Sequence, residues 1–349
     1  KMKTETFYGY QRKENYNMNN NKIIGARGER LLRLTSAKGR QIKNADSFSV
    51  CYGGAEGNVL RSLSCLGRKT RFLSKMGKDE ISQAAVLSLK RAGVDTSFVV
   101  RDENPLGIYF LEEGEGKRPS KVVYHRKGSS ATTRKPEDFD FKKALEGVSL
   151  FHISGISLCL TKTRRDTVRE CLKTCKERHI PVSFDFNYRP SLLPLDEAKN
   201  IYPEVAKYCD ILFASKWDIQ TLLGFHPEEP DEDKVFLGVC KEKGYRYVFT
   251  KKRTILDDRN QRILPIGYTS KEKVIGREED RYIFDRIGAG DSFAAGVLYG
   301  VANERSTKES LDLGIANCAL EQTIFGDHAN FSIEELQEYL SSGKEERKR

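Results

Sequence analysis

No run of about 18 consecutive apolar residues occurs in the 349-residue chain, so nothing in it reads as a hydrophobic transmembrane helix. The opening KMKTETFYGYQRKENYN is too polar for a signal peptide, and Met18 is read as the natural start behind an N-terminal extension, residues 1–22. Cysteine pairs of the C-x-x-C type are missing as well. The eight cysteines, at 51, 65, 159, 171, 175, 209, 240 and 318, are scattered, as expected of buried reduced thiols in a cytoplasmic protein. Cys171 and Cys175 stand one helical turn apart, which alone does not make a metal site. No repeat with a period of about 20–50 residues stands out, and no long Pro/Gly/Ser linker divides the chain.

A basic stripe interleaved with aromatics is also lacking, although the formal net charge is +10. Residues 1–22 carry five Lys/Arg against two Glu, and the closing KEERKR carries four against two, so half of the excess sits in the ends. The remainder reads as a mixed, solvated surface, with neither nucleic acid nor membrane expected as partner.

What the chain does contain is alternation. The runs KIIGA, TRFLSKM, SLFHIS, IPVSFDF, DILFAS and YRYVFT read as strands, several followed by amphipathic segments such as 162–178 and 197–208. Such β-α units predict a mostly parallel sheet flanked by helices, with ligands beyond the carboxyl ends of its strands. Two regions, about 31–52 and 106–126, break the pattern with charged strand-like sequences (RLLRLT, GIYFLEE, KVVYHR), and are read as a small projecting β-sheet. Surface hairpins are the plainer alternative.

Two glycine clusters fall where such a fold binds ligands. In YGGAEGNVLRSLSCLG, Gly53 and Gly54 precede a helix whose buried face is Val59, Leu60, Leu63 and Leu66, and Asn58 stands just inside it. In DRIGAGDSFAAGVLYG, Gly288 and Gly290 form a turn and Asp291 directly precedes an apolar helix. One reading makes Asp291 an N-cap. The other uses the first-turn N–H groups and the helix dipole as a phosphate site, with Asp291 taking a proton from an attacking hydroxyl. The early cluster lacks G-x-G-x-x-G after a strand, which sets a Rossmann dehydrogenase aside.

GGAEGN, LSKMGKDE, LKRAGVDTSFV, FDFNYRP and DRIGAGDSFAAG occur in the order found in the ribokinase family of sugar kinases, a resemblance that spans about residues 23–340. GGAEGN, ARGERLLRL, GIYF, YHR, SGISL and DFNYRP resemble in particular the 2-keto-3-deoxygluconate kinase group. The resemblance implies a ribokinase-like α/β core over residues 23–340, a β-sheet lid, a charged tail at 341–349, and ATP- and Mg2+-dependent phosphorylation of a sugar hydroxyl. Carried over residue by residue, it makes Asp291 the catalytic base, with Gly288, Ala289 and Gly290 as the anion hole. Gly53, Gly54, Asn58, Tyr109, Tyr124, Arg126, Arg189 and Asp327 then match substrate-contacting positions. Arg126 and Arg189 suit a carboxylate, because a planar guanidinium can hold both oxygens at once. On the nucleotide side stand Asn187, Arg189, Thr250, Lys251 and Arg253 with Gly288 and Gly290.

Departures from the family pattern accompany the likeness. Ser215-Lys216-Trp217-Asp218 replaces the family's Asn-x-x-Glu, leaving Asp218 as the acid that would organise the magnesium water shell. The glycine-rich turn expected after a strand ending at Thr250 is replaced by KKRTILDD, so phosphate contacts pass to Lys251, Lys252 or Arg253. Alternatives are another sugar or nucleoside kinase of the family, and a sugar-binding relative that has lost catalysis. Strand-like residues Ile108, Phe110, Val122 and Val123 suggest a homo-oligomer formed through the lid.

Overall fold

The computed structural model describes residues 22–159, 161–228 and 231–342. The expected extension and tail lie outside these residues, except for Lys22, Ser341 and Ser342.

The chain opens with β1 (Ile23–Arg27) and then leaves the main body for β2 (Leu31–Ser36) and β3 (Phe48–Gly53). It returns through α1 (Ala55–Cys65), β4 (Thr70–Gly77), α2 (Glu80–Lys90), β5 (Val94–Asp95) and β6 (Val99–Asp102). A second excursion forms β7 (Gly107–Glu112) and β8 (Lys121–His125), followed by the single turn α3 (Phe141–Ala144). Strand and helix then alternate through β9 (Val148–Ser154), α4 (Lys162–Glu177), β10 (Val182–Asp185), α5 (Leu195–Ala206), β11 (Ile211–Phe213) and α6 (Glu232–Lys243). Four strands follow: β12 (Tyr247–Ile255), β13 (Asn260–Tyr268), β14 (Lys273–Ile275) and β15 (Glu279–Tyr282). The helices α7 (Ala289–Ala302), α8 (Thr307–Glu321) and α9 (Ile333–Ser341) complete the described chain.

The main sheet runs β14-β13-β12-β11-β10-β9-β1-β4-β5, with β15 beside β13 and β6 beside β4. Every pair from β5 across to β12 is parallel, and the β12–β13–β14 end is antiparallel. Because both faces are covered, its strands read as continuous apolar runs. One face packs Phe151 and Phe184 against Val168 of α4, Tyr202 of α5 and Val235 of α6. The other packs Ile24, Phe72 and Phe213 against Leu60 of α1, Leu89 of α2, Leu298 of α7 and Leu311 of α8. The two excursions form a separate four-stranded sheet, β3-β2-β7-β8, in which only the β2–β7 pair is parallel. The chain is therefore an α/β protein with a mostly parallel central sheet and a small second sheet.

One strand departs from the reading of the sequence. β12 does not end at Thr250 but continues to Ile255, because Lys251–Ile255 pair in register with Gln261–Pro265 of β13. Without glycine after Thr250 the backbone has no reason to turn, and a hairpin takes the turn's place.

Candidate active site

The turn into α7 depends on one glycine. Gly288 is the N-cap at φ 97°, and a Cβ there would lie 2.2 Å from the Asp327 carbonyl oxygen. The first-turn N–H groups of a helix have no intrahelical acceptor, so α7 presents donors at Gly288–Gly290 together with its positive dipole end. Asp291 is not the cap that one reading made it. Gly288 holds that place, and the Asp291 side chain is drawn to α1, where its Oδ2 accepts a 2.8 Å hydrogen bond from Asn58 Nδ2. Asn58 is in turn held through its Oδ1 by Arg30 Nη1 at 2.8 Å. Burial pushes the Asp291 carboxyl well above the usual range, against the pull of the Asn58 bond, and the charges of Asp185, Asp327 and Glu56 add to the push.

Beside this helix end opens a cleft of about 540 Å³ lined by Lys251, Arg253, Arg281, Arg286, Gln261 and Gln322 together with Ala289 and Gly290. Its lining includes four cations and no carboxylate. Lys251 stands over the Phe293 ring, 4.4 Å from its centroid. Burial lowers its ammonium pKa, and the neighbouring Asp185 and Asp291 are among the groups that resist this. Lys252, on the opposite face of the strand, pairs with Glu232 at 2.6 Å instead. Thr250 sits within β12, opposite Ile266. The sequence did not single out Arg281 and Arg286, which lie on a short antiparallel strand and in the following loop; only their basic character could have marked them. Another hollow, of about 400 Å³ near Lys199 and His226, is lined by none of these residues.

Asp185 lies within electrostatic reach of both Asp291 and Asp218. Burial and then the charge of Asp218 push the Asp185 carboxyl up to about 6, while Lys251 and Arg189 oppose the shift. Asn187, held at φ 36°, donates its N–H to Asp185 Oδ1 at 3.0 Å and its side-chain amide to Ser154 Oγ at 3.1 Å. Asp218 Oδ2 accepts both the N–H and the hydroxyl of Ser215 at 2.7 Å, so one of its oxygens is occupied locally. Among the described residues, no group of three His, Cys, Asp or Glu is placed to hold a metal directly.

The expected sugar contacts divide into engaged and open groups. Gly54, at φ 141°, lets β3 enter α1 against the Glu29 carbonyl oxygen, which a Cβ would meet at 2.1 Å. A Cβ on Gly53 would lie 1.7 Å from Asp327 Oδ2. Asp327, which matches a substrate-contacting position, is buried, and each of its oxygens accepts a hydrogen bond from the protein. Oδ1 accepts from Arg33 Nη1 at 2.6 Å and Oδ2 from the Tyr109 hydroxyl at 2.5 Å. Arg33 also pairs with the buried Asp285 at 2.6 Å, making an internal triad that the sequence did not reveal. Arg126 stacks over the Tyr124 ring at 4.2 Å and donates to Glu29 Oε2 at 3.3 Å, whereas Arg189 is exposed on the loop after β10.

Known proteins resemble this chain over most of its length. Residues 25–251 match the pfkB family carbohydrate kinases. The chain is 28% identical over 318 residues to the 2-dehydro-3-deoxygalactonokinase of Haloferax volcanii, covering 90% of this chain and 96% of that protein. To the 2-dehydro-3-deoxygluconokinase of Bacillus subtilis it is 29% identical over 306 residues, covering 86% and 90%. The crystal structure of 2-dehydro-3-deoxygluconokinase from Thermotoga maritima superposes with a TM-score of 0.87 at 33% identity, over 92% of this chain and 98% of that one. With residues 25–251 matched by the family and most of its length shared with these relatives, the chain belongs to the pfkB family of carbohydrate kinases.

Proposed function

We propose that this kinase transfers the γ-phosphoryl group of ATP to a hydroxyl of an acidic keto-deoxy sugar, with 2-keto-3-deoxygluconate as acceptor and its 6-phosphate as product. The observation that carries the reading is Asp291, a carboxylate of raised pKa held by Asn58 at the N-terminus of α7 beside a cleft of four cations. A carboxylate of raised pKa is a better proton acceptor, and phosphoryl transfer otherwise needs positioning and charge stabilisation. Asp291 orients the acceptor hydroxyl and takes its proton as the oxygen attacks phosphorus and the bond to the departing nucleotide oxygen breaks. The N–H groups at Gly288–Gly290 stabilise the migrating phosphoryl oxygens. Lys251, Arg253, Arg281 and Arg286 hold the rest of the phosphate chain.

Asp185 and Asp218 suit Mg2+ as acids brought together in one partly buried place, and without a third protein ligand they would hold it through water and donor phosphates. The bound ion would neutralise phosphate charge. On the sugar side, Arg126 and Arg189 receive the carboxylate, and the small sheet serves as the lid of a single kinase domain, residues 23–340. Val50 and Val122, on the two edge strands of that sheet, are exposed and serve as the contact in a dimer. A native mass measurement that finds only monomers overturns the dimer.

The test is an ATP-coupled screen of 2-keto-3-deoxygluconate, 2-keto-3-deoxygalactonate, aldonic acids, ribose and nucleosides. Preference for the keto-deoxy acids supports the reading. Preference for ribose or nucleosides, or sugar binding without turnover, refutes it.

A further inference from the structure

Behind Arg126 lies a group of charges larger than a substrate carboxylate requires. Arg27 at the end of β1, Arg134 in the loop after β8 and Arg164 in the first turn of α4 are all fully buried, and Arg126 is nearly so. Among the described residues, two acids, Glu29 and Glu56, are buried among them. Glu56 is already engaged, its Oε1 accepting from the Ser157 hydroxyl at 2.5 Å and the Ser154 N–H at 3.2 Å.

Glu29 is the shared partner. Its Oε2 accepts from Arg164 Nη1 at 3.0 Å and from Arg126 Nη1 at the longer 3.3 Å, while its Oε1 has no protein donor. Burial pushes the Glu29 carboxyl up, but Arg164, then Arg126, then Arg134 pull harder, and it ends below the ordinary range. Arg164 keeps Nε and Nη2 without an acceptor, and Arg134 keeps Nε and Nη1. Arg164 therefore keeps Glu29 paired without Arg126, and Arg134 adds its charge.

We propose that Arg164 is a positioning residue that determines specificity for acidic acceptors. It retains Glu29 when a sugar carboxylate takes over Arg126. The exchange is inexpensive only because Glu29 is never left as an unpaired buried charge. Had Arg126 been its sole partner, each binding event would strand a buried carboxylate, and the acidic sugar would lose its advantage over a neutral one. The inference rests on the reading of Arg126 as a carboxylate contact.

The experiment compares the wild type, Arg164→Gln, Glu29→Gln and the double variant with Mg2+–ATP, using 2-keto-3-deoxygluconate and fructose as acceptors, with melting temperatures recorded for each. Arg164→Gln should raise KM for the acid about tenfold, with little change in kcat, in KM for ATP or in KM for fructose. Glu29→Gln alone should leave KM for the acid equal or lower, and added to Arg164→Gln it should restore most of the loss. A role in folding alone cannot produce that restoration. If Arg164→Gln does not fold, the single Glu29→Gln variant still decides, because a raised KM for the acid would overturn the proposal. So would equal losses on both sugars, or a double variant no better than Arg164→Gln. A wild type with no preference for the acid overturns both this inference and the acidic-sugar reading, whereas preference without restoration overturns the inference alone.

Discussion

Asp185→Asn should make this kinase more stable and less active, and the stability gain should depend on pH. The Asp185 carboxyl ordinarily titrates near 3.8 and in the fold is pushed up to about 6, chiefly by burial. At about 1.36 kcal/mol per pKa unit, keeping it ionised costs about 3 kcal/mol. The sign follows from proton binding: the folded state holds this proton more tightly than the unfolded chain. The favourable contribution is complete below about pH 4 and is lost as pH rises through about 6. Asparagine keeps an oxygen to accept the Asn187 N–H, made at 3.0 Å to Asp185, and removes the charge. Urea unfolding at pH 7.5 should therefore show the variant about 2–3 kcal/mol more stable, and at pH 4 the difference should vanish. Turnover should fall, because a destabilising charge beside Lys251 and Asp218 is the kind of feature that an active site retains at the expense of stability. No gain at pH 7.5, or the same gain at both pH values, would refute the reasoning.

Three further outcomes follow from the site. Asp291→Asn should lower kcat by about 10² or more without lowering the melting temperature, since burial opposes the charge that the variant removes, and near-normal turnover removes it as the base. Arg33→Met strands the buried carboxylates of Asp285 and Asp327, so unfolding measurements should show a loss of about 3–5 kcal/mol; a loss under about 1 kcal/mol contradicts the triad. Lys251→Met should raise KM for ATP about tenfold while leaving that for the sugar within about twofold, the size expected of one charge-assisted hydrogen bond; a selective effect on the sugar would move Lys251 to the acceptor side.

Legibility differed from residue to residue. The turn at Gly288–Gly290 could be read because it needs particular residues at short spacing, and the structure holds it. The small sheet was visible as two interruptions in the β-α alternation. Asp327 was visible as a position matched through the family resemblance, but its two partners were not. Whether such an acid meets a ligand or an arginine depends on what the rest of the chain brings to it. Arg27, Arg30 and Arg33 look like the charges of a surface strand, yet all three are buried because β1 and β2 lie at the junction of the two sheets.

The sequence by itself determined what local periodicity and backbone chemistry control: alternating strands and helices that must stack as a mostly parallel sheet, and a glycine turn that opens α7. Only the tertiary structure decided which side chains meet. Asp291 finds Asn58 across 233 positions, and Arg33 finds Asp285 and Asp327 across 252 and 294. The continuation of β12 past Thr250 was likewise settled by pairing with β13, which carries Lys251 into the cationic cleft. A buried charge is stable only beside its counter-charge or hydrogen-bond partner, and that pairing is a property of folded distance, which spacing along the chain does not encode.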